Sequence, residues 1–122
     1  MERADNRAGE TRITRLRTNF LDAPLAVDDP RPSFSWRMET DRSGAKQTAF
    51  RILISTGEKT CWDSGKVSSG LSVGIRYPGE GAEALQPETG YRWQVTVWDE
   101  QGTETTARAT FRTGLMSTGL AQ

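Results

Sequence analysis

Apolar residues in this chain recur at every second position, and no stretch holds helical spacing for three turns. Tyr91 to Asp99 is the clearest case: Tyr91, Trp93, Val95 and Val97 share one face of an extended segment, while Arg92, Gln94, Thr96 and Trp98 take the other. A period of two is incompatible with a helical bundle. An all-β fold is expected.

The turn Asp99-Glu100-Gln101-Gly102 leads into a second alternating run, Thr105 to Arg112, with Ala107, Ala109 and Phe111 inward, so the two segments form a hairpin. Ser33 to Met38 puts Phe34, Trp36 and Met38 on one face. After a polar turn through Asp41, Arg42, Ser43 and Gly44, the segment Gln47 to Ser55 sets Phe50, Ile52 and Ile54 inward and Arg51 outward, with Leu53 breaking the outer polarity beneath a neighbouring loop. Weaker strands are expected at Arg12 to Thr18, Thr60 to Lys66 and Leu71 to Tyr77. About seven strands at this spacing favour a sandwich of two packed antiparallel sheets. Three of the five prolines lie between Leu21 and Pro32, which reads as an irregular crossing.

The length of 122 residues accommodates one such domain and not two. The sandwich is placed at 11–114. Residues 1–10 and 115–122 are small and polar and read as tails or linker stubs. Sixteen basic side chains balance sixteen acidic ones, so no long-range field draws in a nucleic acid or an anionic membrane. The arginines at 15, 17, 31, 37 and 51 then read as solvated outer faces balanced by acids. Histidine is absent altogether, which removes Ser-His-Asp and Cys-His catalysis and histidine metal ligation. Neither a cofactor nor a metal is expected. The single cysteine, Cys61, cannot close a disulfide within the chain and reads as a spectator. The charged segment Met1 to Glu10 does not look like a signal peptide, and no apolar run reaches the twenty residues of a membrane span. If Met1 is the native start, a cytoplasmic location is expected.

Leu85-Gln86-Pro87-Glu88-Thr89-Gly90-Tyr91 places Leu, Pro, Thr and Tyr at alternate positions just before the best strand. This is the pattern of a tyrosine corner, in which the ring closes the end of a sandwich core and the hydroxyl bonds backbone a few residues upstream. The expected core and corner are Phe34, Trp36, Phe50, Ile52, Leu85, Pro87, Tyr91, Trp93, Val95 and Phe111.

A wider pattern runs in order along the chain. It comprises Pro24-Leu25 through Pro32-Ser33-Phe34-Ser35-Trp36, Gln47 to Leu53, Trp62-Asp63-Ser64-Gly65-Lys66-Val67, Tyr91-Arg92-Trp93 with Val97-Trp98-Asp99, and Phe111 with Thr113-Gly114-Leu115. From about Leu16 to Leu115 the sequence resembles the N-terminal fibronectin type III-like domain of bacterial α-L-rhamnosidases of glycoside hydrolase family 78. The resemblance implies a long, multidomain, inverting enzyme whose acidic catalytic residues sit in an (α/α)6 barrel, outside anything matched here. This module is therefore expected to be non-catalytic, a spacer or docking unit for adjacent domains of such an enzyme.

Within the module, the adjacent acids Asp28-Asp29 and Asp99-Glu100 read as solvated turns, since glycosidase carboxyls must face each other at roughly 5–10 Å. Gly57-Glu58-Lys59-Thr60 lacks the glycine spacing of a phosphate loop and reads as a hairpin turn. Trp62, with its neighbour Asp63, and Trp98 lie off the core faces. Each is a candidate for stacking a sugar, or for docking another domain. The rival to a spacer is thus an autonomous carbohydrate-binding module for rhamnosylated glycans.

Overall fold

The computed structural model describes residues 11–116. Among them, seven strands build two antiparallel sheets that enclose one core. The strands are β1 (Arg12–Thr18), β2 (Ser33–Glu39), β3 (Gln47–Thr56), β4 (Lys59–Asp63), β5 (Ile75–Arg76), β6 (Gly90–Asp99) and β7 (Glu104–Arg112). One sheet has the order β1-β2-β5 and the other β4-β3-β6-β7. The alternation expected of β6 is present: Tyr91, Trp93, Val95 and Val97 are buried against the facing sheet. On its outer side, burial of Thr96 is offset by a 3.0 Å hydrogen bond that its hydroxyl shares with Thr106, its partner on β7.

Aromatic contacts join the layers. Phe34 of the three-stranded sheet meets Trp93 at 4.9 Å and Phe111 at 5.8 Å between ring centroids, and Phe111 stacks on Tyr91 at 5.2 Å. Further along, Trp36 stands edge-on to Phe50, with its indole N–H donating to Gln47 Oε1 at 2.9 Å. Of the residues expected in the core and corner, Pro87 alone is exposed. It shapes the turn from outside, where its carbonyl accepts the Thr89 hydroxyl at 2.8 Å.

The corner forms as the sequence implies, with one addition. The Gln86 amide donates to the Tyr91 hydroxyl at 2.8 Å. Thr113, almost wholly buried, then ties the same turn to the end of β7: its hydroxyl donates to the Gln86 carbonyl at 2.5 Å and accepts the Thr89 amide at 2.9 Å.

Three segments depart from simple alternation. In β1 the apolar residues Ile13 and Leu16 are three apart, and a bulge between Thr14 and Arg17, with Arg15 at φ 53°, returns Leu16 to the core side. The strand expected over Leu71 to Tyr77 shrinks to two residues, because Gly74 at φ 73° breaks the ladder and leaves Leu71 and Val73 facing solvent. Tyr77 instead enters the core, its hydroxyl donating to the Glu83 carbonyl. Leu53 is half-buried on the outer face of the four-stranded sheet, in a depression lined by Ser55, Arg92, Gln94 and Arg108.

The proline-rich crossing is a strap along the free edge of β7. Arg112 donates its amide to Pro24 and its carbonyl accepts the Val27 amide, both at 2.9 Å, after which the Gly114 amide reaches the Val27 carbonyl at 2.8 Å. The strap thereby pairs the C-terminal end of that edge, at Arg112. Close approach explains Gly114: a Cβ there would stand 2.6 Å from Asp28 Oδ1. Met116, assigned to a tail by the sequence, is half-buried against the core, and its amide donates to Asp28 Oδ1 at 2.9 Å. The tail assigned to residues 1–10, and the remainder of 115–122 beyond Met116, lie outside the described residues.

Removing either hydroxyl at the corner leaves a buried backbone group without its partner. Tyr91→Phe and Thr113→Val should each lower unfolding free energy by about 1–3 kcal/mol in urea titrations, with an unchanged m-value; wild-type midpoints would show that the corner carries no such load.

Candidate functional site

The three candidate residues are not brought together. Trp62 pairs with Ile54 and therefore lies on the core side of β4, half-buried, with its ring edge-on to Tyr77 at 5.6 Å. Trp98 pairs with Ala49 and Glu104 on the outer side of the same sheet. Between the two registers β3 runs from Ala49 to Ile54, about 17 Å of extended chain. One sugar ring cannot rest on both indoles.

Each candidate already has a partner. The Lys66 ammonium sits 4.5 Å from the Trp98 ring centroid, over the face that a pyranose would take. Asp63, on the outer side opposite Leu53, receives Arg51 through two bonds of 2.9 and 2.5 Å and the Gly65 amide at 2.9 Å. The guanidinium holds the Asp63 carboxyl well below the usual carboxylate range, at about 2. This carboxylate is occupied as the anchor of the turn after β4.

Of the two acid pairs read as solvated turns, Asp28-Asp29 lies on a largely exposed turn, whereas Asp99 departs from that reading. Asp99 is buried, at 3% exposure. One of its oxygens accepts the amides of Gln101 at 2.8 Å and Thr103 at 3.0 Å, and the other accepts Arg42 Nη2 at 2.8 Å. Arg42 also contacts Glu100, whose carboxyl is held below its ordinary value chiefly by that bond. The β2–β3 turn is thereby fastened to the β6–β7 turn, a link that Arg42 alone does not announce in the sequence. Asp29 accepts the Arg31 amide at 2.9 Å and lies 3.5 Å from Arg76. Of the arginines read as solvated and balanced by acids, Arg17 meets Asp22 at 3.0 Å on the surface, as Arg51 meets Asp63, whereas Arg31 instead donates to the Tyr77 carbonyl at 3.0 Å.

Cys61 is buried in the core, and burial pushes its thiol pKa up, so it holds little thiolate at neutral pH. Among the described residues no group of three or more Cys, Asp or Glu side chains could hold a metal ion. The depression beneath Arg92 and Arg108 has about 130 Å³, and open depressions of about 350, 340 and 300 Å³ lie beside Leu25, Phe20 and Tyr77.

These features define an immunoglobulin-like β-sandwich module in which Asp63, Asp99 and Glu100 are committed to turns and ion pairs. The model of the family "Rha78A-like, N-terminal immunoglobulin domain" matches residues 13–117, and the chain belongs to that family. An α-L-rhamnosidase of Streptomyces avermitilis is 35% identical over 112 residues, which cover 86% of this chain and 11% of that protein. The solved structure of that organism's α-L-rhamnosidase complexed with L-rhamnose superimposes with a TM-score of 0.79 at 32% identity, covering 88% of this chain and 11% of the other. The α-L-rhamnosidase from Dictyoglumus thermophilum gives a TM-score of 0.78 at 33% identity, covering 86% of this chain and 12% of the other. The chain thus spans about a tenth of the length of the relatives it matches.

The depressed Asp63 pKa carries a pH signature. Its contribution to stability is complete above the unfolded carboxylate value near ~3.9 and is lost as pH falls through about 2. Because the pair is substantially exposed, Asp63→Asn should cost less than about 1 kcal/mol at pH 7. Denaturant titrations of both proteins should converge as pH approaches 2. A gap of constant size across that range would mean that Arg51 does not hold this carboxylate.

Proposed function

We propose that this chain is a non-catalytic accessory module of an α-L-rhamnosidase-like glycoside hydrolase, serving as a spacer and docking unit for adjacent domains. The observation that carries the reading is the extent of the match: an N-terminal immunoglobulin domain accounts for residues 13–117, yet the relatives are about nine times longer. Whatever cleaves rhamnosides in those proteins has ample room outside the matched segment. The engagement of Asp63 by Arg51 and of Asp99 by Arg42 fits a scaffold, because a hydrolytic pair needs one carboxyl free to give a proton and another free to take one.

The architecture suits a spacer. β1 begins beside Glu39 at one pole, whereas β7 ends beside Gly90 at the other, so the chain enters and leaves at opposite ends. The test has two parts. The purified chain should give no turnover of a chromogenic α-L-rhamnoside, and titration with L-rhamnose or a rhamnosylated glycoside should give no saturable change in tryptophan emission up to millimolar concentration. Turnover would overturn the non-catalytic reading; saturation would favour an autonomous carbohydrate-binding module. A reading frame continuing past Gln122 into a large acidic domain would supply the partner that docking requires.

A further inference from the structure

The outer face of the three-stranded sheet gathers arginine through the bulge in β1. Side chains alternate along a strand, so an unbroken β1 would turn Ile13, Arg15 and Arg17 to the core together. The bulge prevents this. Thr14 stays opposite Arg37, Arg17 stands opposite Ser35, and the extra residue lets Leu16 pack against the core while Arg15 remains at the surface. Arg15, Arg17 and Arg37 thus border one open depression of about 340 Å³, together with Phe20, Ser35 and Ser72. No carboxylate lines it. One wall is fixed by backbone, where the Trp36 amide donates to the Ser72 carbonyl at 3.0 Å.

Three features separate this depression from an ordinary basic patch. Ser35 is only 8% exposed, yet its hydroxyl has no hydrogen-bond partner among the described residues. A buried hydroxyl is costly to leave unmet, and this one lies on the outer side opposite Arg17, where only the contents of the depression can meet it. The guanidiniums are also underused. Arg15 has no ion pair among the described residues, and Arg37 approaches only Glu39, at 3.9 Å, a carboxylate that Arg12 approaches equally and that accepts the Thr14 hydroxyl at 2.9 Å. Arg17 commits its Nε to Asp22 and keeps its terminal nitrogens. Finally, Arg15 and Phe20 have φ of 53° and 66°, left-handed conformations that are uncommon for such side chains. Reciprocal amide bonds between Thr18 and Leu21, at 3.0 and 2.9 Å, and the Asn19 side chain, which accepts the Ser33 amide at 2.8 Å, hold Phe20 there with its ring 62% exposed. Strain that surrounding bonds over-determine clusters at ligand sites.

We propose that this depression binds an acidic sugar, a pyranose carrying a carboxylate. The lining selects that class. A guanidinium presents paired N–H donors that match a planar carboxylate, and Arg15 and Arg37 have that fork open. The exposed Phe20 ring, flanked by polar groups, offers the flat apolar surface on which a pyranose stacks, and the Ser35 and Ser72 hydroxyls suit the hydroxyls of the sugar. A bare oxyanion would leave Phe20 unused. A neutral sugar would leave the guanidiniums unmatched. The volume of about 340 Å³ lies at the low end of the range for small-ligand sites, which fits a single sugar unit better than a long chain. The site is separate from Trp62 and Trp98, both of which lie on the four-stranded sheet, and it adds ligand binding to the module without depending on the spacer reading.

Amide-shift titration of the 122-residue chain with D-glucuronate tests the assignment, with D-glucose, acetate and sulfate run alongside. Glucuronate should give saturable shifts at Phe20, Ser35 and Ser72, with a Kd in the millimolar range and at least about tenfold below those of glucose, acetate and sulfate. Acetate or sulfate binding as tightly as glucuronate makes the site a simple oxyanion trap and overturns the sugar. Glucose binding as tightly shows that the guanidiniums take no part and overturns the acid. Shifts confined to Trp62 or Trp98, or no saturation at tens of millimolar, overturn the site. Arg37→Gln should weaken glucuronate about tenfold and Phe20→Ser about fivefold, with thermal midpoints unchanged, whereas Arg108→Gln on the other sheet should leave affinity as it is. Should the Phe20 variant fail to fold, Arg37→Gln still decides: wild-type affinity there overturns the proposal.

Discussion

Phe111 and Arg112 at the end of β7, with Thr113 directly after them, hold the C-terminal pole together. Phe111 packs on Phe34 of the opposite sheet and stacks on Tyr91, so it is part of the contact that keeps the layers joined. Arg112 binds the strap through both backbone groups, and Thr113 secures the turn that carries the tyrosine corner. Side chains alternate along a strand, so one extended tripeptide can serve the core, the sheet edge and the corner together. Loss of register in β7 would undo all three, which is why its nine-residue ladder with β6 governs the stability of this end.

The opposite pole is closed by different chemistry. There Arg42 bridges two turns by engaging Asp99 and Glu100, while Asp99 accepts two amides of its own turn. A buried carboxylate is tolerated only when its lone pairs are met, and here both oxygens are engaged. The polar lock needs no apolar cover. The C-terminal pole, by contrast, ends in exposed leucines and a phenylalanine.

Much of this fold was legible because burial imposes a period of two. The hairpin of β6 and β7, the inward faces of β2 and β3 and the tyrosine corner all follow from where Trp93, Phe111, Phe34 and Tyr91 stand in the sequence. What was not legible depends on backbone conformation or on long-range pairing. Gly74 at a positive φ cuts β5 short, and Arg15 at a positive φ turns an off-period Leu16 inward, yet neither residue type compels that geometry. Arg42 and Asp99 lie 57 positions apart, so nothing local marks them as partners. The candidate tryptophans illustrate the same limit. Trp62 and Trp98 both fall off the core periodicity, and only the pairing of β4 with β3 shows that one faces the interior and the other the outer sheet surface.

The difference between the poles gives the accessory-module reading its physical content. A module that enters at one end and leaves at the other transmits position only if its exit is stiff, because a flexible joint would lose the orientation that the sandwich fixes. In this chain the exit is bonded to the strap through Gly114 and Met116, and the strap is locked by Asn19 and by the Thr18–Leu21 pair. The exit is thus referenced to the core through Phe111 and Arg112.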